Sequence, residues 1–267
     1  PDKCEAPHVE RMIEAFAFLA SRVHLKMDDE FPEITESLLN VLYPHYLAPI
    51  PSMSVAQFAL DPQQGKLTTG YKIDRGTLLY SRPIQGTPCR FRTCYPVTLW
   101  PIEVVNASLE SLDPVSSRGK YSEAVIKIAC RCINDTKLSE IRIKEGEQEQ
   151  PIDALRFYIS GEAQLIYPLY ELIFNDEHYV QRVELRAVNG KRGRTVPVVT
   201  LPPESIRPVG FGEDEGMLQY SARSFTGYRL LTEYFSFPDK FLFFDVTGVD
   251  EAARAGFGEE FEIHLYL

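Results

Sequence analysis

The chain has 267 residues, a formal net charge of −10 at pH 7, and 44% hydrophobic and 25% charged residues. This is long enough for one large domain or two ordinary ones with an ample core, and the composition is that of a globular protein. The acidic balance argues against a nucleic-acid partner, because phosphate binding needs a basic footprint. The densest basic group, Lys191-Arg192-Gly193-Arg194, follows Asn189-Gly190 and is expected to be a solvated hairpin tip.

From the N-terminus, residues 8–28 carry Val9, Met12, Ile13, Phe16, Leu19, Ala20, Val23 and Met27 at helical spacing. Asp28-Asp29-Glu30 breaks the pattern, and Pro32 fits the first turn of a second helix lined by Phe31, Ile34, Leu38, Leu39 and Leu42. Pro44 kinks or ends it, and Pro49-Ile50-Pro51 stops it. Residues 1–50 therefore read as a helical hairpin. Its apolar stripe is too wide for two helices alone, so it must be buried against something else.

After Pro51 short β-type runs recur between turn residues, at 54–60, 77–81, 90–94, 98–108, 123–133, 155–160, 179–188 and 196–201. This density of strands predicts a sandwich-like, mainly antiparallel β domain over 51–202. A helix interrupts it at Ala163–Phe174, with Leu165, Ile166, Leu169, Tyr170 and Ile173 inward. Residues 203–222 are rich in Gly and acid and read as a linker or long loop, so 203–267 is expected to be a linker and the start of a second α/β segment. Gly227–Gly248, GYRLLTEYFSFPDKFLFFDVTG, is an amphipathic helix, a Phe-Pro turn and a strand apolar on both faces. Phe241 and Phe243 are expected on one face, Leu242 and Phe244 on the other. The aromatics Tyr228, Tyr234, Phe235 and Phe237 join them, either as domain core or as a hydrophobic anchor for a partner subunit. The fold class is α+β.

Candidates for chemistry are few. Asp28-Asp29-Glu30 and Glu213-Asp214-Glu215 are expected to be solvated charge, since consecutive acids diverge and no EF-hand spacing exists. His8, His24, His45, His178 and His264 fall in no metal-binding spacing. Neither Ser160 nor Ser224 sits in a nucleophile elbow. Gly210-Phe211-Gly212 and Gly256-Phe257-Gly258 lack the strand–helix context of a phosphate loop. The odd set Cys4, Cys89, Cys94, Cys130 and Cys132 matches no zinc framework and reads as reduced thiols of a cytosolic protein. No apolar run approaches the ~18 residues of a membrane span, and no signal peptide is present. No enzyme, cofactor, metal or membrane insertion is therefore expected. The chain opens on Pro1 and closes on FEIHLYL, an unfinished strand, so both ends are expected to be cut from a longer polypeptide.

Four colinear segments carry a resemblance. They are His8–Ile50 followed by Pro51-Ser52-Met53, then Gly76–Pro101 (GTLLYSRPIQGTPCRFRTCYPVTLWP), Leu155–Phe174 (LRFYISGEAQLIYPLYELIF) and Gly227–Gly248. Together they resemble the TssF (VasA/ImpG) family of baseplate subunits of bacterial type VI secretion systems, over nearly the whole chain. Members of that family are longer. The resemblance implies a non-enzymatic, cytoplasmic scaffold, docked on the cytoplasmic side of the inner-membrane complex. Its implied partners are TssG-like and TssK-like subunits, a second copy of itself, and spike hub and sheath components. The helical segment would bundle with partner helices through Val9, Met12, Ile13, Phe16, Leu19, Leu38 and Leu42. Two other readings compete: a β-sandwich module binding carbohydrate or peptide, which exposed aromatics on one sheet face would favour, and a hydrolase built around His45 or His178.

Overall fold

The computed structural model describes residues 6–30, 32–61, 68–112, 124–145, 148–175, 180–188, 196–220 and 225–267. Cys4, Phe31, His178, Ser224 and the basic tip at 189–194 lie outside them. The chain divides into two compact units: residues 1–52 with 220–225, and residues 53–219 with 226–267.

The first unit holds α1 (Pro7–Glu30), α2 (Pro32–Leu42) and α3 (Pro44–Leu47). Each opens on a proline, which the first helical turn tolerates because its N–H has no intrahelical partner. Asp28-Asp29-Glu30 does not break α1 but forms its last turn. The expected hairpin is met only as a succession of helices. No described residue of α1 or α2 is buried, so their apolar faces are not packed into a core of their own. After α2 the chain gains side-chain contacts. The Tyr43 and Tyr220 hydroxyls share a hydrogen bond of 2.7 Å, and the His45 ring stacks on Tyr220 at 4.0 Å.

The second unit contains the hydrophobic core. Its main sheet has the order β11 (Val198–Leu201), β10 (Arg182–Ala187), β14 (Glu260–Tyr266), β6 (Ala124–Cys132), β5 (Ile102–Ser111), all antiparallel. Period-2 alternation gives each strand one inward row. Val183 and Leu185 of β10, Phe261, Ile263 and Leu265 of β14, and Ile126, Ile128, Cys130 and Cys132 of β6 all enter one core. A three-stranded sheet, β12 (Ile206–Pro208), β13 (Phe243–Thr247), β9 (Ala154–Tyr158), adds Ile206, Val246, Leu155 and Phe244 to it. A bidentate Arg156–Asp245 pair, 2.8 Å on both arms, lies cross-strand on the other face of this sheet. The helix α4 (Ala163–Phe174) contributes Ile166 and Ile173, and α6 (Val249–Arg254) contributes Val249 and Ala252. Three two-stranded ladders complete the unit: β1 (Tyr71–Ile73) with β4 (Val97–Leu99), β2 (Leu78–Tyr80) with β3 (Arg90–Arg92), and β7 (Arg142–Glu145) with β8 (Gln148–Pro151).

Several expectations are corrected. Residues 203–267 are not a linker and a separate segment: β12 and β13 build the second sheet, and β14 is the central strand of the first. Phe261, Ile263 and Leu265 of that central strand face the core. The run at 54–60 joins no sheet, and the run at 98–108 is divided by Trp100-Pro101 into β4 and β5. Leu165 of α4 faces out. Phe241 and Leu242 close a short 3-10 turn, Pro238–Leu242, so β13 starts only at Phe243.

Candidate subunit-contact surfaces

Helix α1 runs about 36 Å at 1.5 Å per residue. Val9, Met12, Ile13, Ala15, Phe16 and Leu19 line one open apolar groove along it. Each of the five large residues among them is exposed, Phe16 at 74%. Leu38 and Leu42 of α2 are exposed as well. The structure thus leaves all seven sequence-derived positions open, on the helices of one unit. Sequence periodicity missed Phe18 and Leu25, also exposed and seven residues apart. They form a second apolar row on the opposite side of α1, so the helix is apolar on two faces. A helix of that kind is one that other elements surround. The signal was present in the spacing, but a single best stripe hides a second one.

A different surface is built on α5 (Thr226–Ser236). Its helical wheel is inverted. Arg229 and Glu233 point inward, with Glu233 fully buried, while Tyr228, Leu231, Tyr234 and Phe235 point outward, Phe235 at 81% exposure. Of the aromatics read as either core or partner anchor, Phe241 and Phe244 are buried, while Tyr228, Tyr234 and Phe235 are exposed.

The inversion is held by a buried polar cluster. Glu233 Oε2 is paired with Lys240 Nζ, and both side chains are wholly removed from solvent. Glu233 Oε1 accepts the backbone N–H groups of Met217 (2.7 Å) and Leu218 (3.0 Å). Arg229 donates through Nη1 and Nη2 to the carbonyl oxygens of Glu213 and Gly212, each at 2.7 Å. Glu215 Oε2 accepts from the N–H groups of Gly210 (2.7 Å) and Gly212 (2.9 Å). Arg75 ties the same loop from outside, donating to the carbonyls of Asp214 (3.1 Å) and Gly216 (2.9 Å). Gly210 has φ +108°, a backbone region that disfavours a side chain, and a Cβ on Gly216 would lie 3.0 Å from Arg229 Nη1. The acidic stretch expected to be solvated is therefore a brace at Glu215, while Glu213 and Asp214 remain exposed. Burial lowers the Lys240 ammonium below the ordinary lysine range, against the opposing pull of Glu233.

The outer face of the five-stranded sheet is charged. Arg186 donates to Glu184 Oε2 at 2.6 Å and to the Tyr266 hydroxyl, and the Arg182 guanidinium lies 3.9 Å from the Tyr266 ring centroid. His264 Nε2 meets Glu262 Oε2 at 2.7 Å, yet burial pushes this imidazole below its ordinary value. Tyr266 is covered by arginine, so its ring is not open as a platform for a sugar. The His45 ring stacks on Tyr220. Among the described residues, no group of three or more His, Cys, Asp or Glu could hold a metal ion. No helix among them is long and apolar enough to cross a membrane.

The family model "Type VI secretion system, TssF" matches residues 1–267. The type VI secretion system component TssF1 of Pseudomonas aeruginosa is 39% identical, over 98% of this chain and 40% of its own length. The cryo-electron microscopy structure of the type VI secretion system TssK-TssF-TssG baseplate subcomplex contains a chain that superposes with a TM-score of 0.70 at 28% identity. That match covers 96% of this chain and 44% of the other. The chain thus spans less than half the length of the relatives it matches. It belongs to the TssF family of the type VI secretion system.

Proposed function

We propose that this chain is part of a non-catalytic scaffold subunit of a type VI baseplate, working in the cytoplasm in a wedge with TssK-type and TssG-type subunits. The observation that carries this is the uncovered apolar face of α1 and α2 in a chain whose structural match is to a TssK-TssF-TssG subcomplex. The helical segment at 1–50 serves as the bundling part, through Val9, Met12, Ile13, Phe16, Leu19, Leu38 and Leu42. Partner helices, including those of a second copy of the chain, would cover this face, and the wedge would then meet the spike hub and sheath. The mechanism is burial of apolar helix surface, at about 25 cal/mol per Å² removed from water. The test is Phe16→Asp in the full-length protein co-expressed with TssK-type and TssG-type subunits. Phe16 touches no core, so folding should be retained, with a melting temperature within about 2 °C of the parent. Complex mass by light scattering should fall, because a charge placed in a subunit seam is costly. An undiminished complex would refute the assignment of this face.

A further inference from the structure

We propose that the far edge of β3, on the β2–β3 hairpin, is a docking site for an extended acidic segment of a partner protein, one with carboxylates at alternate positions around an apolar residue. Residues 75–92 carry four arginines, Arg75, Arg82, Arg90 and Arg92, and no Asp or Glu, in a chain whose net charge is −10. Cross-strand register sets Leu78 opposite Arg92 and Tyr80 opposite Arg90, so these four share one face of the ladder, with Leu79 and Phe91 on the other. Leu78 and Tyr80 are each 60% exposed, and Arg90 and Arg92 are exposed beside them. Tyrosine and arginine side by side are the residue types that carry most energy in protein interfaces. A two-stranded ladder is marginal by itself, and this one adds no residue to the hydrophobic core.

The hairpin is fixed at both ends. At its tip, Ile84 and Thr87 exchange N–H···O bonds of 3.0 and 3.1 Å across Gln85 (φ +51°) and Gly86 (φ +85°), the left-handed pair that matches a hairpin's twist. At its base the Thr93 N–H donates to the Thr77 carbonyl and the Thr93 hydroxyl to that of Asp74, while Arg75 is held on the carbonyls of Asp214 and Gly216. Between them the Ser81 N–H donates to the Cys89 carbonyl. Backbone groups alternate sides along a strand, so with residues 89 and 93 turned towards β2, those of Arg90 and Arg92 point away from it. Among the described residues no strand pairs with that edge.

Edge and charge together select the occupant. An unpaired edge takes a strand, because its N–H and C=O groups are already spaced for one. The added strand sets successive side chains opposite Arg90, Phe91 and Arg92 on alternate faces. Carboxylates opposite the two arginines and an apolar residue opposite Phe91 complete the match. Among the described residues, Arg82, Arg90 and Arg92 form no ion pair. The carboxylates at the hairpin's base do not engage them: Glu215 lies 4.0 Å from Arg156, and Asp74, Glu213 and Asp214 are exposed without an arginine partner of this set. This edge is distinct in sequence from the α1–α2 face and does not depend on it.

The probes are short strand-forming peptides with a central Glu-Val-Glu or Lys-Val-Lys, titrated against the full-length protein by fluorescence anisotropy. We expect the Glu-Val-Glu peptide to bind at least 10-fold more tightly. The preference should reverse for Arg90→Glu with Arg92→Glu, a change of exposed side chains that should leave the melting temperature within about 2 °C of the parent. Hydrogen exchange reads the strand pairing itself: the amides of Arg90 and Arg92 should slow at least 10-fold when the peptide is bound. Equal affinity for both peptides, a preference that survives the charge reversal, or binding without protection of those two amides would each overturn the proposal. So would binding to phosphatidylserine vesicles that needs Arg90 and Arg92 together with no binding of the Glu-Val-Glu peptide, which would make the hairpin a membrane contact.

Discussion

Replacing Glu233 by Gln isolates the cost of the buried charge in the α5 cluster. Gln keeps an acceptor for the Met217 and Leu218 N–H groups, so those bonds survive. What is lost is the anion beside Lys240, a side chain fully withdrawn from water. Leaving one member of a buried pair uncompensated costs about 3–5 kcal/mol. A ceiling follows from proton linkage. The stranded lysine can give up its proton, and neutralising a lysine of ordinary pKa at pH 7 costs about 4.6 kcal/mol, falling to about 2 kcal/mol at pH 9. At about 4 kcal/mol the melting temperature should drop by roughly 8–16 °C. The sign is then fixed. With Lys240 neutral in the folded variant and charged in the unfolded chain, the unfolded state binds more protons, so the variant gains stability as pH rises towards the ordinary lysine value. Urea denaturation of parent and variant at pH 7 and pH 9 measures both quantities. The double variant Glu233→Gln with Lys240→Met, which removes the stranded charge, should return to within about 1.5 kcal/mol of the parent. A deficit under about 1 kcal/mol at pH 7, or one that does not shrink at pH 9, would refute the buried-pair argument.

Three further outcomes are expected. Gly70→Ala should cost about 1–3 kcal/mol by overpacking, because its Cβ would lie 2.5 Å from Cζ3 of Trp100; Trp100 is the sole tryptophan, so a shift in its emission reports the displacement directly. Cys130 and Cys132, whose thiols burial pushes up to about 12, should resist iodoacetamide in the native protein while the exposed Cys89 is labelled, as read by peptide mass mapping. His264 is held below its ordinary value by burial and by the cations Arg186 and Lys127, with Glu262 opposing. As pH falls through the ordinary histidine range, near 6.5, the unfolded chain takes up that proton first and stability declines. His264→Gln should flatten the urea midpoint between about pH 7 and 5 relative to the parent, and an unchanged slope would rule out that contribution.

Local pattern made part of this fold legible. Alternation located β6, β10, β11 and β9, and the helix at Ala163–Phe174 has the bounds its spacing predicts. What could not be read was which segments share a sheet. The central place of β14 depends on pairing Phe261 with both Cys130 and Ala187, contacts remote in sequence that no window contains. The 203–222 region looked like a linker because Gly and acid are loop chemistry. Its order comes instead from Glu215, Arg229 and Arg75 reaching back to its own backbone. In α5, apolar periodicity found the residues and left open which way they face, since an amphipathic pattern fixes an axis and not which end of it meets the core.

The two apolar surfaces differ in what holds them before a partner arrives. No described residue of α1 or α2 is buried, so their helical order rests on local hydrogen bonds and propensity, which are marginal support for an isolated helix. Docking there must also offset the ordering of the segment, and affinity per unit area falls accordingly. On α5 the aromatic row stands on Glu233, Lys240 and Arg229, already fixed by bonds to the loop beneath. Its ordering cost is met within the fold, so association there should be closer to rigid docking. Hydrogen exchange separates the two cases. Amides of α1 should exchange orders of magnitude faster than those of β14 in the unpartnered chain, with α5 close to the sheet. In a complex that covers both surfaces, protection should rise steeply in α1 and only slightly in α5. Equal protection of α1 and β14 in the unpartnered chain would remove the distinction and make both faces preformed.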